Sequence, residues 1–202
     1  MIDIHQELLA NINSKKAVIW DFDGVICFGN WNYDQKLEIW WEKLWRLLEE
    51  YDPEIRQKFQ PDLKYPYEHT DYIVEHFGDE VLPRINQLYL EKELAILPGS
   101  PINPKTVEVI LDSDPKVEHF IWSNNQEIFV KKILQQAGIL EKIKLIASRD
   151  KVRLAKPNLD GFKLIKNVTQ TEIKDFLFVG DSKNTDQLAA TKLGMDFFLY
   201  PA

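Results

Sequence analysis

Five short apolar runs, each closed by polar or turn-forming residues, constrain this chain more than any other feature. They lie in AVIWDFDG (17–24), VEHFIWSNN (117–125), KLIAS (144–148), FLFVGDS (176–182) and MDFFLY (195–200). Runs that are apolar throughout, without alternation, belong to strands covered on both faces. Helix-like segments separate the later runs. In residues 125–139, Ile128, Ile133, Leu134 and Ala137 share a face and Gly138 is the stop. Residues 158–168 and 184–194 read as two more helices, and Ile4, Leu8, Leu9 and Ile12 mark a short amphipathic opening. Strand and helix in alternation predict a parallel sheet with helices on both faces, a three-layer α/β core. Ligands of such sheets bind beyond the carboxyl ends of the strands. Asp21, Ser123 and Asp181 fall at those ends.

The alternation is interrupted once, between the first and second runs. Tyr33 to Glu50 reads as one helix with Leu37, Trp41, Leu44, Trp45 and Leu48 on its apolar face. A Pro-broken stretch follows, then helices over 68–77 and 79–96, the second with Pro83 near its start. The boundaries drawn are 1–25 and 98–202 for the core and 26–97 for an inserted helical domain. Charge follows the same division. Residues 28–97 carry 15 acids and 8 bases, so all of the chain's net charge of -7 lies there. Trp31, Trp40, Trp41 and Trp45 lie in the insertion too, most simply as its core.

Composition removes several function classes. With no basic stripe, broad binding to a nucleic-acid backbone is not expected. No apolar run approaches a membrane span. Cys27 is the only cysteine, which excludes an intrachain disulfide and a cysteine-held metal. The first residues lack the basic-then-apolar order of a secretory signal, so a cytoplasmic address is expected. His5, His69, His76 and His119 show no metal-ligand spacing and read as packing or surface residues.

Asp21-Phe22-Asp23-Gly24 is the strongest local motif. Two carboxylates flank one residue at a strand end, and their repulsion calls for a cation or a shared proton. Asp181 and Asp186 bring acids from a second strand end. Strand-end acids are ordinarily turn residues, but several converging at one sheet edge make a hard-cation site suited to Mg²⁺. Ser123, with Asn124 and Asn125 at a strand-to-helix junction, offers a hydroxyl and backbone N–H groups to an anionic oxygen. Lys156, just before Pro157, is either a surface lysine or the cation that neutralises a phosphoryl group. Arg149-Asp150 is either its support or a solvated loop pair. Arg46, Arg56, Lys58, Lys64, Arg84 and Lys92 are scattered among the acids of the insertion, and no pattern assigns them to the cleft.

Residues 17–25 and 98–199 resemble the haloacid dehalogenase-like hydrolase superfamily, with its four motifs in order. DFDGV is similar to the first, the Ser123 junction to the second, KPNLDGF (156–162) to the third and GDSKNTD (180–186) to the fourth. The resemblance implies a Rossmann-like core with a helical cap inserted after the first core strand. It implies a Mg²⁺-dependent phosphomonoesterase in which Asp21 is the nucleophile and Asp23 the general acid and base. Mg²⁺ would be held by Asp21, the Asp23 backbone carbonyl and Asp181, with Asp186 in support. Ser123, Asn124 and Lys156 would bind the phosphoryl oxygens. An acid at position 23 favours phosphate esters over halides, since halide needs no proton. The implied partner is a small phosphorylated metabolite, as for phosphoglycolate phosphatase-like or sugar-phosphate phosphatase-like members, with the chain a monomer or homodimer. The alternatives are a sugar phosphomutase and a non-catalytic interaction protein on the same fold. Two departures stand out. Val25-Ile26-Cys27-Phe28-Gly29-Asn30 lacks the acid–serine pair common in capped relatives, and Leu159 stands where proline is common. Cys27 reads as a small buried residue near the hinge.

Overall fold

The computed structural model describes residues 4–28, 35–59 and 66–201, with side chains of residues 35–37 outside the description. Trp31, Lys64, the Gly29-Asn30 departure and the Leu37 side chain therefore lie outside the described residues.

Helix α1 (Ile4–Asn13) leads into strand β1 (Ala17–Trp20), and strands β2 (Glu118–Trp122), β3 (Ile143–Ala147), β4 (Phe176–Gly180) and β5 (Asp196–Leu199) complete one sheet. The order is β3-β2-β1-β4-β5, and every pairing is parallel. This is the expected three-layer Rossmann-like α/β core. Side chains alternate between two buried layers, as the pleat requires. Val18, Trp20, Ile121, Leu177 and Val179 face α1, α6 (Pro104–Asp112) and α7 (Glu127–Gln136). Ile19, Phe120, Trp122, Phe176 and Phe178 face α8 (Asp160–Lys166) and α9 (Leu188–Leu193). Each fully buried Phe or Ile here stabilises the fold by roughly 1.5–3 kcal/mol.

One face assignment changes. Ile128 is 50% exposed, whereas Phe129, Val130, Ile133 and Leu134 are buried. Helix α7 begins at Glu127, and the bulky Phe129 sets its rotation by packing edge-on against Phe22 at 5.7 Å.

Between β1 and β2, α2 (Gln35–Glu49), α3 (Ile55–Phe59), α4 (Glu68–Phe77) and α5 (Leu82–Ile96) form the inserted helical cap. Leu44, Trp45, Leu48, Ile55, Ile73, Val74 and Ile85 build its interior. Trp40, not Trp41, is the more deeply packed of the paired tryptophans, because α2 docks on α5 with Trp40 against Tyr89 at 5.0 Å. Trp41 is half-buried beside His69. The cap cluster also takes in Ala155 from the core, so cap and core share apolar surface. Among the described residues no helix is long and apolar enough to cross a membrane.

Candidate active site

The β1 ladder runs one residue past the strand, since the Asp21 N–H donates to the Val179 carbonyl at 2.8 Å. This lifts the Asp21 carboxylate over the carboxyl edge of the sheet. The chain then folds back on itself, with the Ile26 and Cys27 N–H groups both donating to the Phe22 carbonyl. Gly24 makes the fold-back possible. Its φ is +70°, and a Cβ there would lie 1.9 Å from Asp181 Oδ2. Gly180 plays the matching part at the end of β4, where a Cβ would fall 2.6 Å from the Asp186 carboxylate. The two missing side chains let three acids converge. Asp21, Asp181 and Asp186 each offer an oxygen, and these atoms lie within 4.8 Å of one another.

Lys156 answers part of that charge. It is buried, and its Nζ donates to Asp21 Oδ1 at 2.5 Å and to Asp186 Oδ1 at 2.7 Å. Lys156 is therefore not a surface lysine. Its backbone is clamped by Asn124, whose Oδ1 accepts from the Lys156 N–H at 2.8 Å and whose Nδ2 donates to the Lys156 carbonyl at 3.3 Å. Asp186 is fixed in turn by the Ser182 N–H, which donates to its Oδ2 at 3.2 Å.

Ser123 is fully buried at the end of β2, and its Oγ accepts from the Asn125 N–H at 3.0 Å. The Asp23 carboxylate turns toward this junction, where Oδ2 accepts from Asn125 Nδ2 at 2.7 Å. Asp23 Oδ1 has no partner among the described residues. The carboxylates that converge are thus Asp21, Asp181 and Asp186, while the Asp23 side chain turns to Asn125. Asn125, the residue that orients Asp23, was not singled out; the doubled Asn after Ser123 was its only signal.

Burial governs the electrostatics. It pushes Asp21 well above the usual carboxylate range, Asp186 adds to the shift, and Lys156 opposes it. Burial also raises Asp23 to about 6, against the Asn125 hydrogen bond and the charges of Lys92 and Lys156. Asp181 is raised by burial and by Asp186. For Lys156, burial works downward, but Asp186 and Asp21 outweigh it and hold the ammonium charged. One lysine among three acids leaves the cluster short of positive charge. Hard oxygen donors with that deficit fit a divalent cation such as Mg²⁺.

The cap contributes groups that sequence left unassigned. Lys92 packs its ammonium over the rings of Trp40 (4.6 Å) and Tyr89 (5.0 Å), close enough to Asp23 to bias its charge. Asp71 of α4 accepts the Ala155 N–H with both oxygens at 3.1 Å, and Glu93 of α5 accepts the Gln126 N–H at 2.9 Å. Arg149 is fully buried, 3.6 Å from Asp71, which decides against a solvated pair with Asp150.

A family model described as haloacid dehalogenase-like hydrolase matches residues 15–194 of the chain. No curated protein matches it in sequence. Among solved structures, the chain is similar to a Bacillus subtilis protein assigned as a HAD-hydrolase, bound to magnesium and showing interdomain movement. Identity is 14%, the TM-score 0.59, and coverage 91% of this chain and 87% of that one. It is similar to a HAD-superfamily hydrolase of subfamily IA from Geobacter sulfurreducens (16% identity, TM-score 0.55, coverage 93% and 88%). A HAD phosphatase from Thermococcus onnurineus is 18% identical, with a TM-score of 0.53 and coverage of 91% and 85%.

Proposed function

The chain belongs to the haloacid dehalogenase-like hydrolase family, and from that premise we propose that it is a Mg²⁺-dependent phosphomonoesterase acting on a small phosphorylated metabolite. One observation carries the reading: the buried Lys156 ammonium bridges Asp21 and Asp186 at the edge where Asp181 also converges. Residues 1–25 and 98–202 would be the catalytic core and 26–97 the cap that closes over it.

In this reading an Asp21 oxygen attacks phosphorus while the ester P–O bond breaks. Asp23 gives its proton to the leaving oxygen, and its burial favours the protonated acid this step needs. An aspartyl-phosphate on Asp21 results, which splits one difficult displacement into two. Water then attacks phosphorus, its proton passes to Asp23, and phosphate leaves with the ester oxygen of Asp21 restored to the carboxylate. Lys156 and Ser123 hold the phosphoryl oxygens, and Asn124 positions Lys156. Asp21, Asp181 and the Asp23 carbonyl would hold Mg²⁺, with Asp186 in support; the ion supplies charge compensation on the phosphoryl oxygens.

The burial of Asp21 and the approach of Lys92 of the cap to Asp23 suit a second reading, a sugar phosphomutase, because exclusion of water favours return of the phosphoryl group to a hydroxyl. The test is a panel of phosphate esters with and without Mg²⁺, with free phosphate and isomeric products both measured. Asp21→Asn is expected to lower phosphate release by about 10⁴-fold or more. Release that survives chelation or this substitution overturns the proposal, and isomer without free phosphate selects the mutase.

A further inference from the structure

Resting on the phosphatase reading of the site, we infer that the cap holds the two phosphate-binding loops of the core in register through two buried carboxylates, Asp71 and Glu93, acting as positioning residues. Both side chains are almost wholly withdrawn from solvent. Each accepts a backbone N–H from a core loop that carries site residues.

Asp71 grips the Lys156 loop. Both its oxygens lie 3.1 Å from the Ala155 nitrogen, and Oδ2 accepts from Asn158 Nδ2 at 3.2 Å, so the contacts straddle Lys156. Arg149 balances the charge at 3.6 Å and closes the same loop by donating to the carbonyls of Val152 and Arg153. Arg153 reaches back to the Val74 carbonyl of α4 at 3.0 Å. Glu93 grips the other loop. Its Oε2 accepts from Gln126, the residue that follows Ser123-Asn124-Asn125. Asn124 then ties the two loops together through the Lys156 backbone.

The choice of groups argues for positioning beyond adhesion. Apolar contacts attach a cap at less cost than buried carboxyl groups, which lose hydration. Asp71 recovers part of it through its hydrogen bonds and Arg149. Burial pushes Glu93 up to about 8, so that it accepts from Gln126 as a neutral acid near pH 7. A carboxyl oxygen on a backbone N–H is directional, and it supplies the partner that a buried amide requires. When the cap withdraws, Ala155 and Gln126 lose those partners, and Lys156 and Asn125 lose their neighbours' support. Small displacements of such groups tell on the transition state more than on ground-state binding.

The experiment compares Asp71→Ala, Asp71→Asn, Glu93→Ala and Glu93→Gln with the unmodified chain, using p-nitrophenyl phosphate and Mg²⁺. For the alanine variants, kcat per folded molecule is expected to fall about 10- to 100-fold with KM within about threefold. Inhibition by orthovanadate, which mimics the pentacoordinate phosphoryl group, is expected to weaken by about tenfold or more. The Asn and Gln variants keep an acceptor oxygen, so they recover most of kcat. Hydrogen exchange of the Ala155 and Gln126 amides gives a readout independent of activity, and it quickens in each alanine variant at the amide its carboxylate holds. Lower Tm with unchanged kcat, vanadate inhibition and amide exchange reduces the pair to simple anchors and overturns the inference. An unmodified chain that releases no phosphate from any ester sinks the phosphatase reading alone, and the amide exchange then still decides whether the pins exist.

Discussion

The core and the cap carry their acids in opposite ways. Outside residues 28–97 the chain is neutral, with 17 acids and 17 bases, yet that part gathers Asp21, Asp181 and Asp186 around one lysine. The cap holds the whole net charge of -7, yet several of its acids pair with cap bases, Glu42 and Glu49 with Arg56, Glu50 with Arg84, and Asp52 with Lys58, while Asp71 and Glu93 are buried against the core. Formal charge per domain therefore says little about the field at the site. Burial and spacing set it, because charges in solvent are screened far more strongly than buried ones. An acidic cap over an anionic substrate is no contradiction, since several of its solvent-facing acids are paired and Lys92 brings a positive charge near Asp23.

Three perturbations sharpen this contrast. The largest is expected at Lys156. Lys156→Ala leaves Asp21 and Asp186 buried without the cation between them, and breaking a buried pair costs about 3–5 kcal/mol. Phosphate-ester turnover should fall by roughly 10²–10³-fold as well. Thermal unfolding and steady-state assays read the two effects. An unchanged Tm would show that the acids are not in fact balanced by this lysine.

A smaller effect belongs to His69, which the cap interior buries against Trp45 at 5.0 Å. Burial, helped by Lys92, pushes its pKa down to about 3, so the folded chain keeps the ring neutral while the unfolded chain takes up a proton near pH 6.5. Its contribution to stability is therefore whole above pH 6.5 and is lost as pH falls from there toward 3. Between pH 7 and 5 the loss is about 2 kcal/mol. His69→Phe should flatten the denaturation profile over that range, and an equally steep profile in the variant would assign the acid sensitivity elsewhere.

The smallest effect is expected on the cap surface. Arg84→Ala removes the paired contacts to Glu50 at 2.6 and 2.8 Å. Exposed pairs contribute little, so Tm and turnover should stay within experimental scatter. A clear loss would mean that cap charge matters globally.

Much of this was legible in the residues. Continuous apolar runs between amphipathic segments indicate a buried parallel sheet whatever the details of packing. Asp21, Asp181 and Ser123 were placed by one rule, that strand ends gather ligands. Lys156 needed the family resemblance, because a lysine before a proline carries no local signal of burial. The rotation of α7 away from Ile128 and the preference for Trp40 over Trp41 were not legible, since a helix with several apolar positions has more than one face to offer. Asp71 and Glu93 were hidden for another reason. Each takes its meaning from a partner 33 or 84 residues away, and single acids in a charged stretch look alike until the chain is folded.

By itself, then, the sequence determined the layers of the core, the strand ends that bear the acids and the presence of a helical insertion after the first core strand. Hydrophobic period and motif order are properties of neighbouring residues, so they can be read along the chain. Only the tertiary structure decided which acids are buried, which lysine stands between them, and which cap carboxylates hold the loops of the core. Those outcomes depend on desolvation and on distances across the fold.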